Sequence, residues 1–177
     1  MASTTQAGAA TSQTPENQPQ KQKITTFLWF DNNAEEAANF YTSVFKNSRI
    51  LNTTHYGETG PGPKGSVMTI SFELDGVVFT ALNAGPQFKF TEAISLVVHC
   101  ESQEEVDYFW EKLTEGGQEV ECGWLKDKFG LSWQIVPDAF FDLITDPDQQ
   151  KVDRVMKAMM QMKKFDIKQL EQAAEAS

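Results

Sequence analysis

A repeat with a period of 68 residues constrains this chain more than any other feature of its sequence. Ile24–Phe30 is a run of β-branched and aromatic residues that reads as a buried strand. Asp31-Asn32-Asn33 ends it. Asn33 is in position to cap a helix from about Ala34 to Phe45, with Glu35 and Glu36 near its positive end. Ala37, Phe40, Tyr41, Val44 and Phe45 recur there at helical spacing. The pattern returns without a gap. Ile94–Val98 is a strand, Ser102 with Glu105 has capping-box spacing, and Val106, Phe109, Trp110 and Leu113 form the second apolar stripe before Gly116-Gly117. Leu28 falls on Leu96, Phe30 on Val98 and Phe45 on Leu113, a register that points to duplication.

Strand signals follow each strand–helix unit. In the first half they are Ile50–Tyr56, Ser66–Leu74 and Val77–Leu82, with Asp75-Gly76 as a hairpin turn. In the second half they are Gln118–Glu121, Cys122–Lys126 and Leu131–Val136, with Asp127–Gly130 as the turn. The expected fold class is α+β, built from two βαβββ modules at residues 23–90 and 91–137, each a curved and mainly antiparallel sheet. Residues 138–177 then supply helices, expected over Asp153–Met162 and Asp166–Ala174. Met1–Gln22 has no large apolar residue apart from Met1 and reads as a disordered tail.

The net charge of -10 disfavours nucleic-acid phosphates and anionic membranes as partners. No apolar run approaches the roughly 18 residues that a membrane helix needs. The two cysteines, Cys100 and Cys122, stand in no metal-type spacing and fit a reducing compartment, so the expected location is the cytoplasm.

Several stretches carry a family resemblance. They are Phe27-Leu28-Trp29-Phe30-Asp31 with Glu36-Ala37-Ala38 and Phe40-Tyr41, Tyr56-Gly57-Glu58 with Gly60-Pro61-Gly62, and Phe79–Asn83. Phe88-Lys89-Phe90, Glu92–Ser95 and Cys122–Gln134 complete the set. On these stretches the chain resembles the PhnB-like family of the vicinal-oxygen-chelate (glyoxalase/bleomycin-resistance) superfamily, whose domain often bears the label 3-demethylubiquinone-9 3-methyltransferase. The resemblance implies a homodimer with modules paired across chains and a small molecule held in a concave cavity. Metal-dependent superfamily members carry His and Glu ligands at four positions, which transfer here to Thr25, Ala81 or Asn83, Ala93 and Gln134. None is a residue type that holds a divalent metal well, so no metal and no cofactor is expected. Methyl transfer would call for a glycine-rich loop between strand and helix, and Asp31-Asn32-Asn33-Ala34 contains no glycine.

Because strand faces alternate, Leu28, Phe30, Leu96 and Val98 are expected under the helices, with Thr25, Phe27, Trp29, Ala93, Ser95 and Val97 on the opposite face. Phe27 and Trp29 suit a planar or apolar ligand, or fill a barrel interior. Gln134, a polar residue in an apolar strand, either orients a ligand or bonds to backbone. Asn83 ends its strand and suits a turn as well as a cavity. His99, at a strand end, is a general base only if an acid partner stands beside it. Trp124, Lys126 and Trp133 cluster around the second hairpin, where Lys126 either meets an anionic group or is a solvated strand-end charge. The leading function is therefore small-molecule binding. A metal-independent enzyme (lyase, isomerase or the labelled methyltransferase) and a purely structural dimer are the alternatives.

Overall fold

The computed structural model describes residues 22–176. The tail expected over Met1–Gln22 lies outside them, apart from Gln22. That residue's amide oxygen accepts a hydrogen bond from the Val78 N–H at 3.0 Å.

The first half of the chain runs β1 (Thr26–Phe30), α1 (Ala34–Val44), β2 (Arg49–His55), β3 (Val67–Leu74) and β4 (Val77–Asn83). The second half runs β5 (Ser95–Cys100), α2 (Gln103–Thr114), β6 (Gln118–Glu119), β7 (Trp124–Lys126) and β8 (Ser132–Pro137). Each half builds a four-stranded sheet, in the orders β1-β4-β3-β2 and β5-β8-β7-β6. The first and last strands of each half pair in parallel, and the other neighbours are antiparallel. Each sheet is thus mixed, remains open rather than closing on itself, and repeats the other's topology, as duplication requires.

Asp75 and Gly76 both adopt positive φ, 44° and 81°, which lets two residues turn the β3–β4 hairpin. Ser102 caps α2 as its spacing predicted, accepting from the Glu105 N–H at 3.3 Å. The α1 cap differs from expectation. Asn33 makes no side-chain cap bond. Asn83 does instead, its Oδ1 accepting from the Ala34 N–H at 2.8 Å. Parallel pairing sets Asn83 beside Phe30 at the end of β1, which brings its amide to the helix start.

Cys122 does not enter a strand. Cys122 and Gly123 have φ of 58° and 80°, and their N–H groups donate to the carbonyls of Met162 (2.8 Å) and Lys163 (2.6 Å), so β7 starts only at Trp124. Three C-terminal helices follow, α3 (Asp138–Ile144), α4 (Gln149–Met159) and α5 (Ile167–Glu175), and these two bonds tie the segment before β7 to the stretch between α4 and α5. The helix expected at Asp153 begins earlier, because Asp148 caps it by accepting from the N–H groups of Gln150 and Lys151. A Cβ on Gly123 would lie 2.3 Å from the Phe165 ring at a φ that disfavours any side chain. Gly123→Ala is therefore expected to cost about 1–3 kcal/mol, read as a lower urea midpoint.

Leu28, Phe30, Tyr41 and Phe72 from the first half join Val106, Leu113, Leu125, Trp133 and Ile135 from the second in one buried cluster. Phe45 stacks on both Phe109 and Trp133, with ring centroids 5.0 and 5.5 Å away. The helix-covered faces of both sheets therefore share a single core, to which Val136 on the other face of sheet 2 also belongs.

Candidate functional site

At the centre of the shared core lies a carboxylate. Asp127 is 3% exposed. Its Oδ2 accepts from the Tyr41 hydroxyl at 2.7 Å and from Trp133 Nε1 at 2.8 Å. Its Oδ1 accepts from the N–H groups of Phe129 and Leu131 at 2.9 and 3.0 Å. The bond from Tyr41 joins α1 to the β7–β8 turn, so this residue fixes one half of the chain against the other. Burial pushes its carboxyl above the usual range, against the four hydrogen bonds that pull it down. A carboxyl raised in the folded state adds stability below its unfolded value and loses it as pH rises through its folded value. Relative to Asp127→Asn, the wild-type chain is thus expected to gain stability on acidification from neutral pH, measured by urea titration at two pH values.

The open face of sheet 1 is set by register. Phe27, Thr80 and Ser71 form one row, and Trp29, Leu82, Thr69 and Thr54 the next. Phe27 is 58% exposed although it sits in a strand. Trp29 is half-buried; its Nε1 donates to the Gly85 carbonyl at 2.9 Å, and Phe88 packs edge-on at 4.9 Å. Hydroxyls line the rest, with Ser71 and Thr80 3.1 Å apart and Thr54 and Thr69 2.6 Å apart.

On sheet 2 the face away from α2 carries Ser95, Val97 and His99 from β5, Gln134 from β8, and Trp124 and Lys126 from β7; Ser132 and Val136 share this face by register but are buried. Gln134 Nε2 donates to the Ser95 hydroxyl at 2.9 Å, a side-chain partner rather than a backbone one. Ser132 Oγ is buried with no hydrogen-bond partner among the described residues. Lys126 pairs with Glu92 and, through that bond, holds the Glu92 carboxyl below its usual range. His99 Nδ1 lies 3.3 Å from Asp138 Oδ1.

Seven of the nine residues singled out from sequence fall on open faces: Phe27 and Trp29 on one, Ser95, His99, Trp124, Lys126 and Gln134 on the other. Two do not. Trp133 pairs with Leu96 and Leu125 on the helix side and is 2% exposed. Asn83 spends both ends of its amide on structure, capping α1 and donating to the Val67 carbonyl at 3.1 Å. The same register corrects the ligand mapping. Ala81 pairs with Leu28 and Asn83 with Phe30, both on the covered side, so Thr80 and Leu82 face outward instead. Asp138 and Phe88 join these faces without a sequence signal of their own, and Ser132 lies buried beneath one of them. Ser132 was reachable from its alternation with Gln134, whereas Asp138 joins the face only through the packing of α3.

The donor set at the corrected positions is Thr25, Thr80 or Leu82, Ala93 and Gln134, with no imidazole or carboxylate among them. Purified protein is accordingly expected to hold no stoichiometric Zn, Ni, Mn or Fe. Elemental analysis checks this; about one metal per chain that leaves with Gln134→Ala would contradict it.

Two open mixed sheets of repeated topology, parallel at their first and last strands, define a vicinal-oxygen-chelate fold. The family described as 3-demethylubiquinone-9 3-methyltransferase matches residues 22–136, and the chain belongs to that family. The PhnB protein from Bacillus cereus is 43% identical in sequence, with a TM-score of 0.61 over 66% of this chain and 99% of that one. Protein PA1353 from Pseudomonas aeruginosa shares the fold at 20% identity, with a TM-score of 0.56 over 66% and 98% of the two chains. The fosfomycin resistance protein FosX from Listeria monocytogenes does so at 15% identity, with a TM-score of 0.52 over 71% and 98%. Comparison with curated proteins gave no match. No helix among the described residues is long and apolar enough to cross a membrane.

Proposed function

We propose that the protein is a homodimer that holds a small, partly apolar molecule between the open face of sheet 1 in one chain and the open face of sheet 2 in a second. The exposure of apolar side chains on both faces carries this reading. Phe27, Phe88 and Val97 all stand in solvent in the single chain, and large apolar side chains left exposed on regular strand faces suit a binding or subunit surface. Both covered faces are committed to one core, so the two open faces of one chain are not placed to close on each other. A second copy related by a two-fold axis brings unlike faces together twice.

Phe27, Trp29 and Phe88 offer a flat apolar wall. Gln134 and Ser95 offer hydrogen bonds to one polar group of the ligand. No cofactor, metal or nucleic acid enters this reading, and methyl transfer draws no support from the β1–α1 turn. The free thiols of Cys100 and Cys122 support a cytoplasmic location. Native mass spectrometry of the purified full-length chain tests the proposal. The expected result is a dimer carrying an additional small mass that Trp29→Ala loses. A bare monomer at micromolar concentration counts against it.

A further inference from the structure

Resting on that reading of the open faces, we infer that His99 is a proton acceptor for an acidic hydroxyl, phenolic or enolic, on the bound molecule, and that Asp138 is its positioning residue. From sequence His99 has no partner. The fold supplies two, both from α3. Asp138 Oδ1 lies 3.3 Å from His99 Nδ1, and the Phe141 ring stacks on the imidazole with centroids 5.1 Å apart at 29°. Asp138 and Phe141 are three residues apart and so share one face of the helix. One fixes the ring's edge and the other its plane. His99 shares its strand face with Val97 and Ser95, and thus with the Gln134 amide.

A carboxylate at Nδ1 selects the tautomer with the proton on Nδ1. The lone pair then resides on Nε2, the nitrogen that Asp138 does not engage. In the transfer the ligand's O–H bond breaks, an N–H bond forms at Nε2, and the electron pair stays on the ligand oxygen. The products are an oxyanion and an imidazolium, and Asp138 balances the charge of the latter without taking up a proton. Since His99 and Asp138 are both more than half exposed in the single chain, their ion pair contributes little to stability. A role in stability therefore does not explain the arrangement. Nothing oxidisable or reducible takes part, and the step needs no co-reactant.

The probe is 4-nitrophenol, a flat aromatic molecule with an acidic hydroxyl whose anion absorbs visible light. Binding to the full-length dimer is followed by calorimetry and ionisation by absorbance, at a pH where most of the free probe keeps its proton. The expected result is a several-fold higher anion fraction in the bound probe than in the free one. His99→Gln should still bind but return the bound probe to the free ratio, and Asp138→Ala should fall between. Trp29→Ala should abolish binding itself. Bound probe that stays neutral on wild-type protein, or stays ionised on His99→Gln, overturns the inference alone. Failure of wild-type protein to bind the probe counts against the open-face reading and the inference together. Independently, nitrogen NMR of the ring should show His99 with Nδ1 protonated and Nε2 bare. The opposite tautomer overturns the inference whatever the probe does.

Discussion

Replacing Asp127 with alanine is expected to destabilise the protein by about 3–5 kcal/mol, a fall in Tm on the order of 10 °C for a chain of this size. The substitution strands four buried donors: the Tyr41 hydroxyl, the Trp133 indole N–H and the Phe129 and Leu131 amides. Each buried donor left unpaired costs about 1–3 kcal/mol, whereas an intact hydrogen bond contributes less than that in net terms. Tyr41→Phe and Trp133→Phe remove one donor each and leave the carboxylate three partners, so each should cost no more than about 1–2 kcal/mol. The asymmetry is diagnostic. If Asp127→Ala costs no more than Tyr41→Phe, the carboxylate is not what fixes the two halves of the chain together.

The second large effect concerns assembly. Phe27→Asp and, separately, Val97→Asp are expected to raise the dimer dissociation constant by about two orders of magnitude or more, since burying an unpaired carboxylate costs about 3 kcal/mol or more. Both side chains stand in solvent in the single chain, so neither substitution should alter monomer stability by more than about 0.5 kcal/mol. Sedimentation velocity gives the first number and urea unfolding of the separated monomers the second. Loss of folding in either variant would mean that these faces are internal to one chain.

The architecture was legible because duplication repeats its own errors and its own successes. Leu28, Phe30 and Val98 are buried where alternation put them, and Phe27 and Val97 are exposed on the other side. What the sequence concealed depends on contacts between distant segments. The α1 cap comes from Asn83 rather than Asn33, because parallel pairing delivers the end of β4 to the helix start. Cys122 and Gly123 look like strand residues until the C-terminal segment offers the carbonyls of Met162 and Lys163 to their N–H groups. Trp133 belongs to the core because its own strand register sends it there, a one-residue question that spacing alone does not answer. Asp127 opens the turn that its sequence neighbours Phe129 and Gly130 predict, and its Oδ1 serves that turn. Its other oxygen meets Tyr41, 86 positions earlier in the chain, and no local pattern foretells that bond. His99 was visible from sequence, but its partner Asp138 becomes adjacent only once α3 packs back on the end of β5.

The claim that one site is built from two chains can be tested by mixing subunits. Trp29→Ala removes the central ring of the aromatic wall of sheet 1, and Gln134→Ala removes the amide of sheet 2. If a site pairs sheet 1 of one chain with sheet 2 of the other, each variant homodimer carries two damaged sites. A mixed dimer then carries one doubly damaged site and one intact site. After mixing, unfolding and refolding the two variants together, calorimetry with 4-nitrophenol should recover binding at wild-type affinity in about a quarter of the sites, because half of the dimers are mixed and each mixed dimer has one intact site of two. No recovery, with mixed dimers confirmed by mass, would show that each site lies within a single chain and would contradict the proposed assembly.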